Sequence, residues 1–71
     1  MTPSRKPMLS PLEAEMLTWS ARGMTSDAIA QARGLSKRSV DFHLDNARAK
    51  LGAVTRIQAV AKAVQVKLIK P

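Results

Sequence analysis

Cysteine is absent from this chain, which excludes both a disulfide framework and a thiolate metal site. Histidine occurs once, as His43, too few for a His-rich zinc centre. No nucleophile, base and orienting acid fall into a catalytic constellation, so the sequence reads as a non-enzyme with no cofactor and no metal. Aromatics are nearly missing, with one Trp, one Phe and no Tyr among 71 residues. Acidic residues are few, 5 against 12 Lys and Arg, leaving a net charge of +7. That imbalance is expected of a protein that meets a polyanion, and nucleic acid is the leading partner. No apolar run approaches the roughly 18 residues of a membrane span, and the N-terminus lacks the apolar centre of a signal peptide. A cytoplasmic protein that makes no membrane contact is expected. A chain this short buries only about 60% of its unfolded surface, so its core is small and rests on packing and helix caps.

Proline is confined to Pro3, Pro7, Pro11 and Pro71, so nothing from Leu12 to Lys70 carries a helix-breaking ring. Gly23, Gly34 and Gly52 each follow a plausible helix and precede a new cap. The spacing predicts an all-α fold of four helices. Residues 1–8 read as a basic arm or linker remnant, and residues 9–71 as the domain. Ser10-Pro11-Leu12-Glu13 is a capping box with Pro at the first helical position. Helix 1 is expected to run to about Arg22, with Leu9, Leu12, Met16, Leu17 and Trp19 on its core side. Thr25 or Ser26 caps a short helix 2 with Ala28, Ile29 and Ala32 inward. Ser36 caps helix 3, whose buried stripe is Val40, Leu44, Ala47 and Leu51. Thr55-Arg56-Ile57-Gln58 opens helix 4, expected to reach about Lys67 and to bury Ile57, Val60, Ala61, Val64 and Leu68.

Two short helices joined by Gly34-Leu35-Ser36 have the sequence form of a helix-turn-helix, whose second helix enters the major groove. With Val40 inward, Arg38, Phe42, Asp45 and Ala49 turn outward, flanked by Ser39, Asp41 and Asn46. Such a face is either a solvated helix surface or the face a duplex meets. An outward Phe42 favours the duplex, where it can touch a thymine methyl. In helix 4 the side opposite the expected core carries Ala59, Ala63 and Val66, with Lys62 beside them. That second apolar side is either plain alanine-rich composition, since small exposed alanines cost little, or a dimer interface between two copies.

The run Leu9-Ser10-Pro11 with Glu15 and Leu17, then Gly23-Met24-Thr25, Ile29-Ala30, Leu35-Ser36, Arg38-Ser39-Val40, Phe42-His43, Asn46, Lys50-Leu51 and Arg56-x-Gln58-Ala59-Val60, resembles the LuxR-type helix-turn-helix DNA-binding domain. Ser39-Val40-x-Phe42-His43-x-x-Asn46 and Gln58-Ala59-Val60 are most similar to regulators that sense acyl-homoserine lactones in quorum sensing. The resemblance implies a domain that is dimeric on double-stranded DNA and controls transcription in the bacterial nucleoid. It places helix 3, about Lys37 to Lys50, in the groove and helix 4 at the dimer seam. Its base-contacting positions fall on Asp41, Phe42 and Asp45, joined by Arg38 on the same face. Many relatives carry Lys or Arg where Asp41 and Asp45 stand. Those carboxylates either read cytosine or support the helix, Asp41 through Lys37 and Asp45 through Arg48.

Phosphate attraction is then expected from Lys37, Arg38, Arg48 and Lys50, from Arg56, and from the amides capped by Thr25 and Ser36. Dimerisation would match a near-palindromic operator. Glu15 is implied to bond the helix-turn-helix backbone. Trp19 reads as a core plug or as a surface for polymerase or a related regulator. His43 reads as a half-buried or phosphate-touching residue rather than a metal ligand. The rival reading is a small antagonist that heterodimerises through helix 4 with a full-length regulator.

Overall fold

A computed structural model describes residues 9–70 of the chain; the expected arm at residues 1–8 lies outside them. Four helices form, α1 Pro11–Ala21, α2 Ser26–Arg33, α3 Lys37–Lys50 and α4 Arg56–Gln65. Each begins at a hydroxyl that accepts from the amide three residues on, at Ser10, Thr25, Ser36 and Thr55. Those acceptors satisfy amides that have no partner inside the helix. At Ser10 the box closes in both directions, because the Glu13 carboxylate also accepts from the Ser10 amide at 2.9 Å. At Thr55 it does not. Gln58 Oε1 instead accepts from the amide of Val54 at 2.6 Å, one residue farther back.

The helix ends follow one pattern. The amides of Met24, Leu35, Ala53 and Leu68 donate five residues back, to the carbonyls of Trp19, Ala30, Arg48 and Ala63. In each case a left-handed residue precedes the donor, the signature of a Schellman cap. Gly34 (φ 67°) takes that role in the turn between α2 and α3, whereas α4 ends on Lys67 (φ 62°), where a Cβ makes the conformation costly. Helix 4 therefore stops at Gln65, two residues short of the expected end.

The core lies where α1 packs on α3 and α4, and α2 packs on α3. Met16, Leu17, Ile29, Val40, Ala47, Ala59 and Ala63 are fully enclosed, and Leu44, Leu51, Ala53 and Ile69 nearly so. The α3 stripe matches the expected one at Val40, Leu44, Ala47 and Leu51. Trp19, Leu9 and Leu12 pack against its rim, half-buried. Helix 2 is rotated relative to expectation: Ala30 is buried and Ala32 exposed. Ser26 and Arg33, which share a face with Ile29 and Ala30, reach Asp41 and Glu15 and fix that rotation.

Helix 4 is rotated by nearly half a turn. Ala59 and Ala63 are sealed in the core with Val66 half-buried beside them, while Ile57 is 84% exposed and Ala61 is exposed. The expected seam residues Ala59, Ala63 and Val66 thus serve the monomer. Two apolar sides made the pattern ambiguous, and side-chain size decides it, because alanines let α4 approach α1 and α3 closely. Arg56 anchors the same rotation through its contacts with α3.

Candidate nucleic-acid interface

Helix 3 hides its aliphatic side, with Val40 at 0% and Leu44 at 2% exposure, and presents Phe42 at 61%. Arg38, Asp45 and Ala49 are exposed on the same outer face, and Asn46 is half-buried at its edge. The ring of half-buried His43 meets Phe42 edge-on, with centroids 5.6 Å apart. Among the described residues no group of His, Cys, Asp or Glu could hold a metal ion.

The two aspartates of this face differ. Asp41 is committed to the protein: Oδ1 accepts from Ser26 Oγ at 2.7 Å and from Arg56 Nη1 at 2.9 Å, and Oδ2 accepts from Lys37 Nζ at 3.1 Å. These bonds, led by Ser26, outweigh desolvation and lower its pKa from 3.8 to about 2. They give Asp41 the helix-supporting role that was one of its two readings, with Lys37 among its partners as expected. Asp45 pairs with Arg56 rather than with Arg48. Nε and Nη2 of Arg56 approach Asp45 Oδ1 at 3.2 and 3.0 Å. The guanidinium loses hydration, yet its bonds to Asp45 and Asp41 prevail and raise its pKa above the ordinary value.

Several cations expected to meet phosphate are tied inward instead. Arg56 spans the two aspartates of α3. Lys50 Nζ lies 2.8 Å from Oε1 of Glu13, a carboxylate only 4% exposed. Burial pushes the Glu13 pKa up, but Lys50 and Ser10 together hold it below the ordinary value. Arg48 Nη1 donates to the Ala53 carbonyl at 3.0 Å, closing the loop after α3. Lys62, expected at the seam, reaches the carbonyls of Leu51 and Gly52 at 3.3 Å within the same chain. Its place beside the buried Ala59 and Ala63 explains that direction. Lys37 keeps 58% of its side chain exposed beside Asp41. Arg38 makes no hydrogen bond or ion pair among the described residues. The capping hydroxyls of Thr25 and Ser36, both exposed, leave the starts of α2 and α3 open to solvent.

Glu15 does not bond the helix-turn-helix backbone. Its carboxylate accepts from Trp19 Nε1 at 3.1 Å and pairs with Arg33, clamping α1 to α2 through side chains. Trp19 Nε1, then Arg33, lower the Glu15 pKa against some desolvation. Glu13 was missed as a buried group; its place in the capping box was the available signal.

Residues 7–63 match the bacterial regulatory proteins of the LuxR family. The chain belongs to that family. Its four helices are the all-α helix-turn-helix fold of a LuxR-family domain, a regulatory and non-enzymatic module. The transcriptional activator SolR of Ralstonia nicotianae is 38% identical over 69 residues, 97% of this chain and 29% of that protein. The quorum-sensing-dependent regulator RpaR of Rhodopseudomonas palustris is 43% identical over 68 residues, 96% of this chain and 28% of that protein. The activator AnoR of Acinetobacter nosocomialis is 44% identical over 57 residues, 80% of this chain and 24% of that protein. This LuxR-family chain spans under a third of the length of the curated relatives it matches. Among the described residues no helix is long and apolar enough to cross a membrane.

Proposed function

We propose that this domain binds double-stranded DNA by sequence and regulates transcription in the bacterial cytoplasm as part of a quorum-sensing system. The observation that carries the reading is the outward Phe42, 61% exposed on a helix whose opposite side is sealed. An aromatic in that position gains little for the monomer beyond its edge-on contact with His43, whereas in a major groove it covers a base edge or a thymine methyl. Lys37 and Arg38 flank it and supply phosphate contacts, joined by the amides at the starts of α2 and α3. About two neutralised phosphates per domain would give a slope near −2 in log affinity against log salt. Titration of a labelled random-sequence duplex at several salt concentrations tests this; a flat response refutes it.

For a dimer contact, the side of α4 opposite the one first expected is the better fit. Val54 (79% exposed) and Ile57 (84%) form an apolar patch continued by the exposed Ala61 and flanked by half-buried Val60 and Val64. Its uncharged polar neighbours on α4 are Gln58 and Gln65, while the nearby cations Arg56 and Lys62 are engaged by the aspartates of α3 and by the carbonyls of Leu51 and Gly52. A chain of net charge +7 can meet its own copy there without like-charge repulsion. Two domains so joined would read two half-sites of a near-palindromic operator, and their joint affinity would exceed that of one. The same patch would serve a heterodimer with a full-length regulator. Operator binding by the isolated chain favours the homodimer; a heterodimer that forms no complex with DNA favours the antagonist.

A further inference from the structure

Arg56 lies at the first turn of α4, but its contacts are with α3. Its fork takes up Asp41 Oδ1 through Nη1 at 2.9 Å and Asp45 Oδ1 through Nη2 at 3.0 Å and Nε at 3.2 Å. The consequences differ for the two carboxylates. Both oxygens of Asp41 already accept, because Lys37 holds Oδ2 at 3.1 Å, and its side chain is only 26% exposed. Asp45 accepts at Oδ1 only; among the described residues nothing donates to its Oδ2. Its side chain is 53% exposed and stands one helical turn from Phe42.

We propose that Asp45 is the specificity-determining carboxylate of α3, accepting from cytosine N4 through Oδ2, and that Arg56 is the positioning residue that holds it for that contact. The inference rests on the DNA-binding reading above. Cytosine follows from the chemistry of the major groove. A carboxylate only accepts, so guanine, with acceptors at N7 and O6, and thymine, with O4, repel it. Adenine offers N6 as a donor but places the N7 acceptor beside it; cytosine offers N4 with no adjacent acceptor on that edge. An unpaired carboxylate would also be repelled by phosphates. Arg56 and Lys37 offset the two negative charges of Asp41 and Asp45, so the acceptor enters a locally neutral setting. The planar fork bonds both carboxylates at once and so fixes their relative orientation, which a single ammonium cannot do. Arg56, expected from sequence to touch phosphate, acts here through Asp45.

Selection of bound fragments from random duplex DNA at fixed salt tests the proposal, run on the native chain and on Asp45→Ala, Arg56→Ala, Arg56→Lys and Asp41→Asn. Circular dichroism monitors folding of each variant. The native chain should select a motif with one cytosine position per half-site, favoured about tenfold or more. Asp45→Ala flattens that position and leaves the others unchanged. Arg56→Ala weakens preference at the same position, and Arg56→Lys restores it in part. Asp41→Asn, which keeps an acceptor for Ser26 and Arg56, leaves the cytosine preference in place. Retention of every base preference by Asp45→Ala overturns the assignment. An Arg56→Ala variant that loses affinity evenly across all sequences overturns the positioning role and returns Arg56 to phosphate. If Arg56→Ala does not fold, Arg56→Lys decides, since undiminished cytosine preference there contradicts a need for the fork. A native chain that selects no motif sinks the DNA reading itself, a distinct failure from the other two.

Discussion

Asp41→Ala removes the acceptor that joins α2, α3 and the start of α4, and its cost can be worked from the structure. Its pKa in the folded chain is about 2 against an ordinary 3.8. A depression of just under two pKa units corresponds to about 2 kcal/mol at 1.36 kcal/mol per unit. With 26% of the side chain exposed, solvent screening trims this to about 1–2 kcal/mol. A domain of this size has total stability of about 4–10 kcal/mol, so the loss is a large share. It should lower Tm by about 5–15 °C. The sign of the pH dependence follows from the direction of the shift. The folded chain holds the Asp41 proton less tightly than the unfolded chain. The stabilisation is therefore complete well above pH 3.8 and is lost as pH falls through about 2. Urea unfolding followed by Trp19 fluorescence, on native and variant chains, should show the full gap near neutral pH and almost none at about pH 2. Glu13 and Glu15 also have lowered pKa values, but they are common to both chains and cancel in the difference. A gap that is the same at both pH values, or under about 0.5 kcal/mol near neutrality, would refute the reasoning.

Lys67→Gly relieves the left-handed backbone at the end of α4 and should raise stability by about 0.5–1 kcal/mol, read as a rise in Tm. Lys50→Ala leaves the enclosed Glu13 without its cation and should cost about 1–3 kcal/mol in urea unfolding, a penalty larger than for Lys70→Ala at the exposed end of the chain. Ile57→Glu barely alters the stability of the monomer because that side chain is exposed. It should nonetheless abolish self-association in sedimentation and weaken operator binding by at least about tenfold. Phe42→Ala should reduce the ratio of operator to random-DNA affinity about tenfold, whereas Arg38→Ala should weaken both, as competition gel shifts would show.

Helices 1 and 3 were readable because their signals are local. Ser10 and Ser36 announce the starts, Gly23 and Gly52 follow the ends, and Val40, Leu44, Ala47 and Leu51 leave α3 only one plausible inner side. Helix 4 was not readable in this way. Ile57, Ala61 and Val64 form as good an apolar stripe as Ala59, Ala63 and Val66, and the choice depends on how closely α4 must approach α1. That closeness is a property of the packed molecule. The exposed face with Phe42 followed from the period of α3. The partners of its charges did not, because Lys50 with Glu13 and Arg56 with Asp41 join residues far apart in sequence. Counting basic residues near α3 therefore overstated the cations free for DNA.

Phe42 is the only phenylalanine in the chain, so fluorinated phenylalanine incorporated throughout the protein yields a single fluorine resonance from the centre of the outer face of α3. In the free domain that resonance should respond to exchange of H2O for D2O, as a solvated ring does. On addition of operator duplex it should shift and lose that response, as the ring leaves water for the groove. A resonance unchanged at saturating DNA would contradict the account.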